Sequence, residues 1–157
     1  MNAILITDYF KNSGLGNYLR SYYLYKFIKK RNYLNADFQI LSKKRRNNNK
    51  KYNIIILDLP YRDYNIKEIL KKFAKKKYKV IGLDYSLKYK IDCNISIYKK
   101  SIYALKNFVG LKYSIIRKEF INKKFNFDEN LFFISIGSSD IKNIKNKIKN
   151  LFFPYFK

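Results

Sequence analysis

Three short apolar runs in this chain each end on an aspartate: AILITD at residues 3–8, NIIILD at 53–58 and KVIGLD at 79–84. Apolar runs of this length, without polar alternation, read as strands buried on both faces. Between them lie stretches with helical spacing. Leu19, Tyr22, Tyr23 and Phe27 fall on one face of residues 17–30, and Ile66, Ile69, Leu70 and Phe73 on one face of residues 66–77. Strands alternating with helices predict an α/β fold with a Rossmann-like, mainly parallel sheet. Ligands of such sheets bind beyond the carboxyl ends of the strands, where Asp8, Asp58 and Asp84 fall. Each aspartate alone is also the residue type of a turn or helix cap, but their repetition at one edge makes that edge a candidate site.

Weaker signals complete the outline. Residues 37–41 and 95–98 read as strands and 101–108 as a helical turn. Residues 131–136 (LFFISI) read as a strand and 141–151 as a helix. The KKRRNNNKK stretch at 43–51 is low-complexity and polar, the composition of a loop. Tyr22, Tyr23 and Phe27 are expected in the helix core rather than on the surface, because their spacing is that of one buried face.

Composition narrows the chemistry. The chain of 157 residues contains no histidine, so imidazole chemistry and histidine metal ligands are excluded. Cys93 is the single cysteine, which excludes an intrachain disulfide and makes a zinc site an unexpected feature. No metal and no cofactor is expected. The net charge is +24, from 35 Lys and Arg against 11 Asp and Glu. Such a charge suits nucleic acid, an anionic surface or an anionic substrate. The excess is mostly lysine, alongside abundant Asn, Ile, Tyr and Phe, the pattern that A/T-rich codons impose on any protein. No sequence motif of a nucleic-acid-binding module accompanies it, so nucleic acid is not the expected partner. The N-terminus lacks a basic region followed by a long apolar one, and no stretch approaches the roughly 20 apolar residues of a membrane span. A cytoplasmic protein without a membrane partner is expected.

Glycine is scarce, at five residues, and Gly14 and Gly16 stand together between the first strand and the first helix. A glycine turn opening a helix lets backbone N–H groups approach a ligand. The stretch SGLGNYLRS at 13–21 resembles the G-x-G-H-x-x-R turn of the UDP-2,4-diacetamido-2,4,6-trideoxy-β-L-altropyranose hydrolases of pseudaminic acid biosynthesis. GLKYSIIRKEF at 110–120 is similar to that family's G-x-x-Y-x-x-x-R-x-E-F segment. FFISIGSSDIKNIKNKI at 132–148 is similar to its strand followed by G-G-S/T-D-x-x-N, with Ser138 in place of the second glycine. The three motifs occur in order and span essentially the whole chain.

The resemblance implies two facing Rossmann-like domains, as in nucleotide-sugar glycosyltransferases. Residues 1–125 would form the first, and residues 126–157 the start of a truncated second. It implies metal-free hydrolysis of a UDP-linked diacetamido sugar, releasing UDP. Catalytic groups and sugar contacts would come from the first domain, and most UDP contacts from the second. Carried onto this chain, the catalytic position is Asn17, where the family has histidine, with Asp8 as the nearest substitute. Substrate contacts are expected from Gly14, Gly16, Arg20, Asp58, Asp84, Arg117, Ser139, Asp140 and Asn143. Arg20 could reach a phosphate or brace its own loop, and Arg117 could face the cleft or brace Glu119 or Asp84. Asparagine cannot exchange a proton near neutral pH, so a base contribution of typically about 10²–10⁴-fold is absent if the histidine is the base. Three functions follow: a UDP-sugar hydrolase-like protein of doubtful activity, a non-catalytic sugar-nucleotide-binding or complex-forming subunit served by a separate chain carrying the second domain, or a basic nucleic-acid-binding protein.

Overall fold

The computed structural model describes residues 1–9, 15–43, 50–60 and 63–116. Six strands form one parallel sheet: β1 (Asn2–Thr7), β2 (Asn35–Ile40), β3 (Tyr52–Asp58), β4 (Ala74–Leu83), β5 (Ile91–Ser96) and β6 (Ala104–Val109). Their spatial order is β2-β1-β3-β4-β5-β6. Helix α1 (Gly16–Lys30) follows β1, and α2 (Ile66–Phe73) follows β3. This is an α/β, Rossmann-like sheet. The chain reverses its direction of travel across the sheet between β1 and β3, the position at which parallel sheets open a crevice.

The apolar runs explain why the central strands are covered on both sides. Ile4 and Ile6 of β1, with Ile55 and Leu57 of β3, enter one core; Leu5 and Ile56, which alternate with them, enter the other. Helix α2 closes the first core with Ile66, Ile69, Leu70 and Phe73. Its first turn is capped by Asn65, whose side-chain oxygen accepts from the Glu68 N–H at 3.2 Å. The Lys51 ammonium donates to the Lys71 and Lys72 carbonyls at its other end. Helix α1 reaches the second core through Ile28, Leu24 and Tyr25.

Four sequence expectations are corrected. The helix expected over 66–77 stops at Phe73, because the apolar stripe ends there and lysines follow. The chain enters β4 at once, with a register break between the Tyr52–Ala74 and Ile54–Lys79 pairs. The helical turn expected over 101–108 is largely β6, at the edge of the sheet among the described residues; the exposure of its residues follows no regular period. The strand expected at 95–98 is Ile91–Ser96. The rings assigned to the core of α1 are not buried: only Ser21 and Ile28 of that helix are, Tyr22 and Tyr23 are partly exposed, and Phe27 is 53% exposed. The expected strand at 131–136, the helix at 141–151 and the proposed second domain lie outside the described residues.

Residues 84–90 and 97–103 join parallel neighbours with less chain than the dozen or so residues, usually helical, that such a crossover normally takes. An irregular, bent segment substitutes for the helix: Tyr85, Leu87 and Tyr89 pack onto the first core. Asp84 makes the reversal in the left-handed region, with φ 47°. The turn folds Tyr85 back over Gly82, where an added Cβ would lie 2.5 Å from the Tyr85 Cβ and 2.7 Å from its ring. The Tyr85 hydroxyl is buried with no hydrogen-bond partner among the described residues. Burial, with Tyr89 nearby, pushes its pKa above the ordinary phenol value. Gly82→Ala is expected to destabilise the protein by about 1–3 kcal/mol, read from urea unfolding. Unchanged stability would mean that Tyr85 moves aside freely.

Candidate functional site

Helix α1 carries Asn17, Arg20 and Ser21 at spacings that share one face, and that face overlies the ends of β3 and β4. Asp58, the last residue of β3, is fully buried. Four donors surround its carboxylate. Asn17 Nδ2 lies 2.8 Å and Arg20 Nη2 2.6 Å from Oδ1; Arg20 Nε and the Ser21 hydroxyl each lie 2.9 Å from Oδ2. An ionised carboxylate offers about four acceptor positions, so Asp58 is saturated. The Thr7 hydroxyl also donates to the Asp58 carbonyl at 2.9 Å, tying β1 to the same point.

Arg20 reaches further. Its Nη1 donates to Asp84 Oδ2, so one guanidinium spans the ends of two neighbouring strands. Burial alone would lower the pKa of Arg20, but Asp58 and Asp84 outweigh it and push the value up. Asp84 is held in turn by the Ser96 hydroxyl at 2.7 Å and the Ile97 N–H at 3.4 Å. Burial alone would raise its carboxyl pKa, yet Ser96, Arg20 and the Ile97 amide together hold it below the ordinary range. Arg20, Asp84, Ser96, Ile97 and Tyr113 line a small surface depression here.

The structure thus brings Asn17, Arg20, Asp58 and Asp84 together. Asp8 stands apart. Its side chain accepts from the Tyr9 and Ser42 amides and from the Tyr64 hydroxyl, the bonding of a turn former. The fork of Arg20 is engaged by two strand-end carboxylates, those of Asp58 and Asp84. Gly16 opens α1, and an added Cβ there would meet nothing within 4 Å. Gly14, Arg117, Ser139, Asp140 and Asn143 lie outside the described residues. Ser21 and Ser96 were missed from sequence. The available signals were the i, i+4 spacing of Ser21 from Asn17, and the place of Ser96 at a strand end beside Asp84. Among the described residues, no cluster of three or more His, Cys, Asp or Glu is placed to hold a metal ion, and no helix is long and apolar enough to cross a membrane.

No protein-family model, no curated protein and no solved structure matches this chain.

Arg20→Ala leaves a buried carboxylate without its counter-charge. The expected cost is about 3–5 kcal/mol, recovered in part when Asp58→Asn is added. A loss within about 1 kcal/mol would mean that the pair behaves as an exposed one. Because the folded pKa of Asp84 is depressed, its contribution to stability is complete above the unfolded value of about 3.9 and is lost as pH falls through the folded value. Acid unfolding of Asp84→Asn should therefore depend less steeply on pH than that of the parent below about pH 4. Identical acid limbs would exclude Asp84 from the linkage.

Proposed function

We propose that this chain is a UDP-sugar hydrolase-like protein of nucleotide-sugar biosynthesis, of the pseudaminic acid type, and that its described sheet edge receives the diacetamido sugar. The observation that supports this is the joining of Arg20, Asp58 and Asp84 at the carboxyl edge of the parallel sheet, with Asn17 of the glycine turn hydrogen-bonded to Asp58. One guanidinium facing two carboxylates leaves an excess of negative charge, and since Asp58 is buried and saturated the groups left for a ligand are Asp84 and the Asn17 amide. That balance disfavours a pyrophosphate and favours a neutral ligand rich in O–H and N–H donors, such as an acetamido sugar. The UDP end then falls to Ser139, Asp140 and Asn143, or to a separate chain with an equivalent domain.

In the hydrolysis, water adds to the anomeric carbon as UDP leaves. The described edge supplies positioning, but position 17 supplies no proton acceptor. One N–H of the Asn17 amide is committed to Asp58, which leaves its second N–H and its carbonyl oxygen for a ligand, and neither exchanges a proton near neutral pH. This favours the second reading, a sugar-nucleotide-binding subunit with little turnover. A histidine at position 17 could donate one ring N–H to Asp58, which would orient the other ring nitrogen as a base.

The test is UDP release from the UDP-diacetamido sugar, with saturation-transfer NMR of the sugar methyl groups as a separate measure of binding. The parent and Asn17→His are each assayed alone and fused to the C-terminal domain of a hydrolase of the resembled family. The fused Asn17→His protein should turn over about 10²–10⁴-fold faster than the fused parent. Comparable turnover by the unmodified chain would refute the role given to position 17. Absence of sugar binding by every version would refute the reading as a whole.

A further inference from the structure

The surface of α1 beside β2 carries a chain of aromatic rings that neither the Asp58 site nor the sugar reading uses. Tyr9 and Tyr18 have centroids 5.3 Å apart. Tyr18 and Tyr22 stack at 6.0 Å with planes 16° apart, Tyr22 meets Phe38 at 6.0 Å, and Phe38 meets Tyr25 at 5.5 Å. Tyr25 and Phe38 lean on the second core, while Tyr9, Tyr18 and Tyr22 continue the chain and are all partly exposed. Cations lie over the same rings: Lys26 Nζ is 5.6 Å from the Tyr22 centroid, Lys29 Nζ 5.7 Å from that of Tyr25 and Lys43 Nζ 6.0 Å from that of Tyr9. Helix α1 contains Arg20, Lys26, Lys29 and Lys30 and no acidic residue.

We propose that this tyrosine–lysine face binds single-stranded nucleic acid. Every base has a face that stacks on an aromatic ring, and every nucleotide has a phosphate for an ammonium, so rings interleaved with cations match this polymer without reading its sequence. The net charge of +24 adds long-range attraction. An anionic membrane is the competing partner, since tyrosine also suits a membrane interface; what favours a nucleotide polymer is the alternation of rings with cations, Lys43, Lys26 and Lys29 lying over Tyr9, Tyr22 and Tyr25. A protein this basic attracts any polyanion at low salt, so the distinguishing property is the share of binding carried by the rings.

The test uses the full chain and fluorescence anisotropy with a labelled oligothymidylate of about 16 nucleotides, a duplex of equal length and phosphatidylserine vesicles, each over a salt series. The single strand should bind more tightly than the duplex. Tyr18→Ala and Tyr22→Ala should each weaken it about fivefold or more without changing the salt slope, and Tyr22→Phe should preserve it. Lys26→Gln with Lys29→Gln should instead lower the slope by about 1–2. Equal affinity for single strand and duplex, insensitive to the tyrosine substitutions, would overturn the proposal in favour of diffuse charge. Tyrosine-dependent binding to vesicles but not to the oligonucleotide would overturn it in favour of a membrane. If the alanine variants fail to fold by circular dichroism, photocrosslinking of the parent decides. Adducts at Tyr18 or Tyr22 support the proposal, and adducts confined to residues away from this face overturn it.

Discussion

The Asp58 carboxylate and the Arg20 guanidinium hold together what the rest of the sheet edge is built on. Asp58 is buried at the end of a central strand, and a charge in that position survives only with a partner and a full set of donors. Arg20 supplies two of those donors, while Asn17 and Ser21, from the same helical face, supply the other two. The axial position and rotation of α1 are thereby fixed against β3 by hydrogen bonds as well as by packing. This matters because α1 inserts so little into the core: of its residues only Ser21 and Ile28 are buried. The polar contact does for this helix what the apolar stripe of Ile66, Ile69, Leu70 and Phe73 does for α2.

The reach of Arg20 to Asp84 extends the tie across the strand boundary. Ser96 continues it to β5, so three neighbouring strand ends are linked by side chains as well as by backbone. A ligand bound at this edge would meet groups already fixed by one another rather than flexible lysines. Preorganisation of this kind keeps positioning groups from spending binding energy on their own ordering.

Much of this was legible in sequence because the signals were local. Runs such as IIIL have no amphipathic alternative, and the aspartates at 8, 58 and 84 marked the strand ends. Parallel pairing of β3 and β4 then put Asp58 and Asp84 side by side. What escaped was set by tertiary context. Residues 74–78 (AKKKY) favour helix over strand by local propensity, and the need to bring Val80 back beside Ile55 overrides it. Residues 104–109 lack a clear period, and β6 has a strand neighbour on one side only among the described residues. The tyrosines of α1 had helical spacing, but spacing does not say whether a sheet lies beneath them, and most of that face projects beyond the second core. Asp8 shared its setting with the other two aspartates, yet its partners, Ser42 and Tyr64, come from parts of the chain that no local pattern connects to it.

The short irregular connections after β4 and β5 divide the sheet by how far the chain must travel to build it. Ile81 pairs with Cys93 and Ile91 with Ala104, both close in sequence, whereas Ala3 must find Ile54. On loop-closure entropy alone, the first β1–β3 contact costs about 1 kcal/mol more than the first β4–β5 contact. The strands from β4 onward are joined by local contacts and the N-terminal half by distant ones. Arg20 comes from the half with distant contacts and Asp84 from the half with local ones. The guanidinium bridge is thus a seam between a locally built and a distantly built part of the sheet, and the candidate site exists only once both are in place.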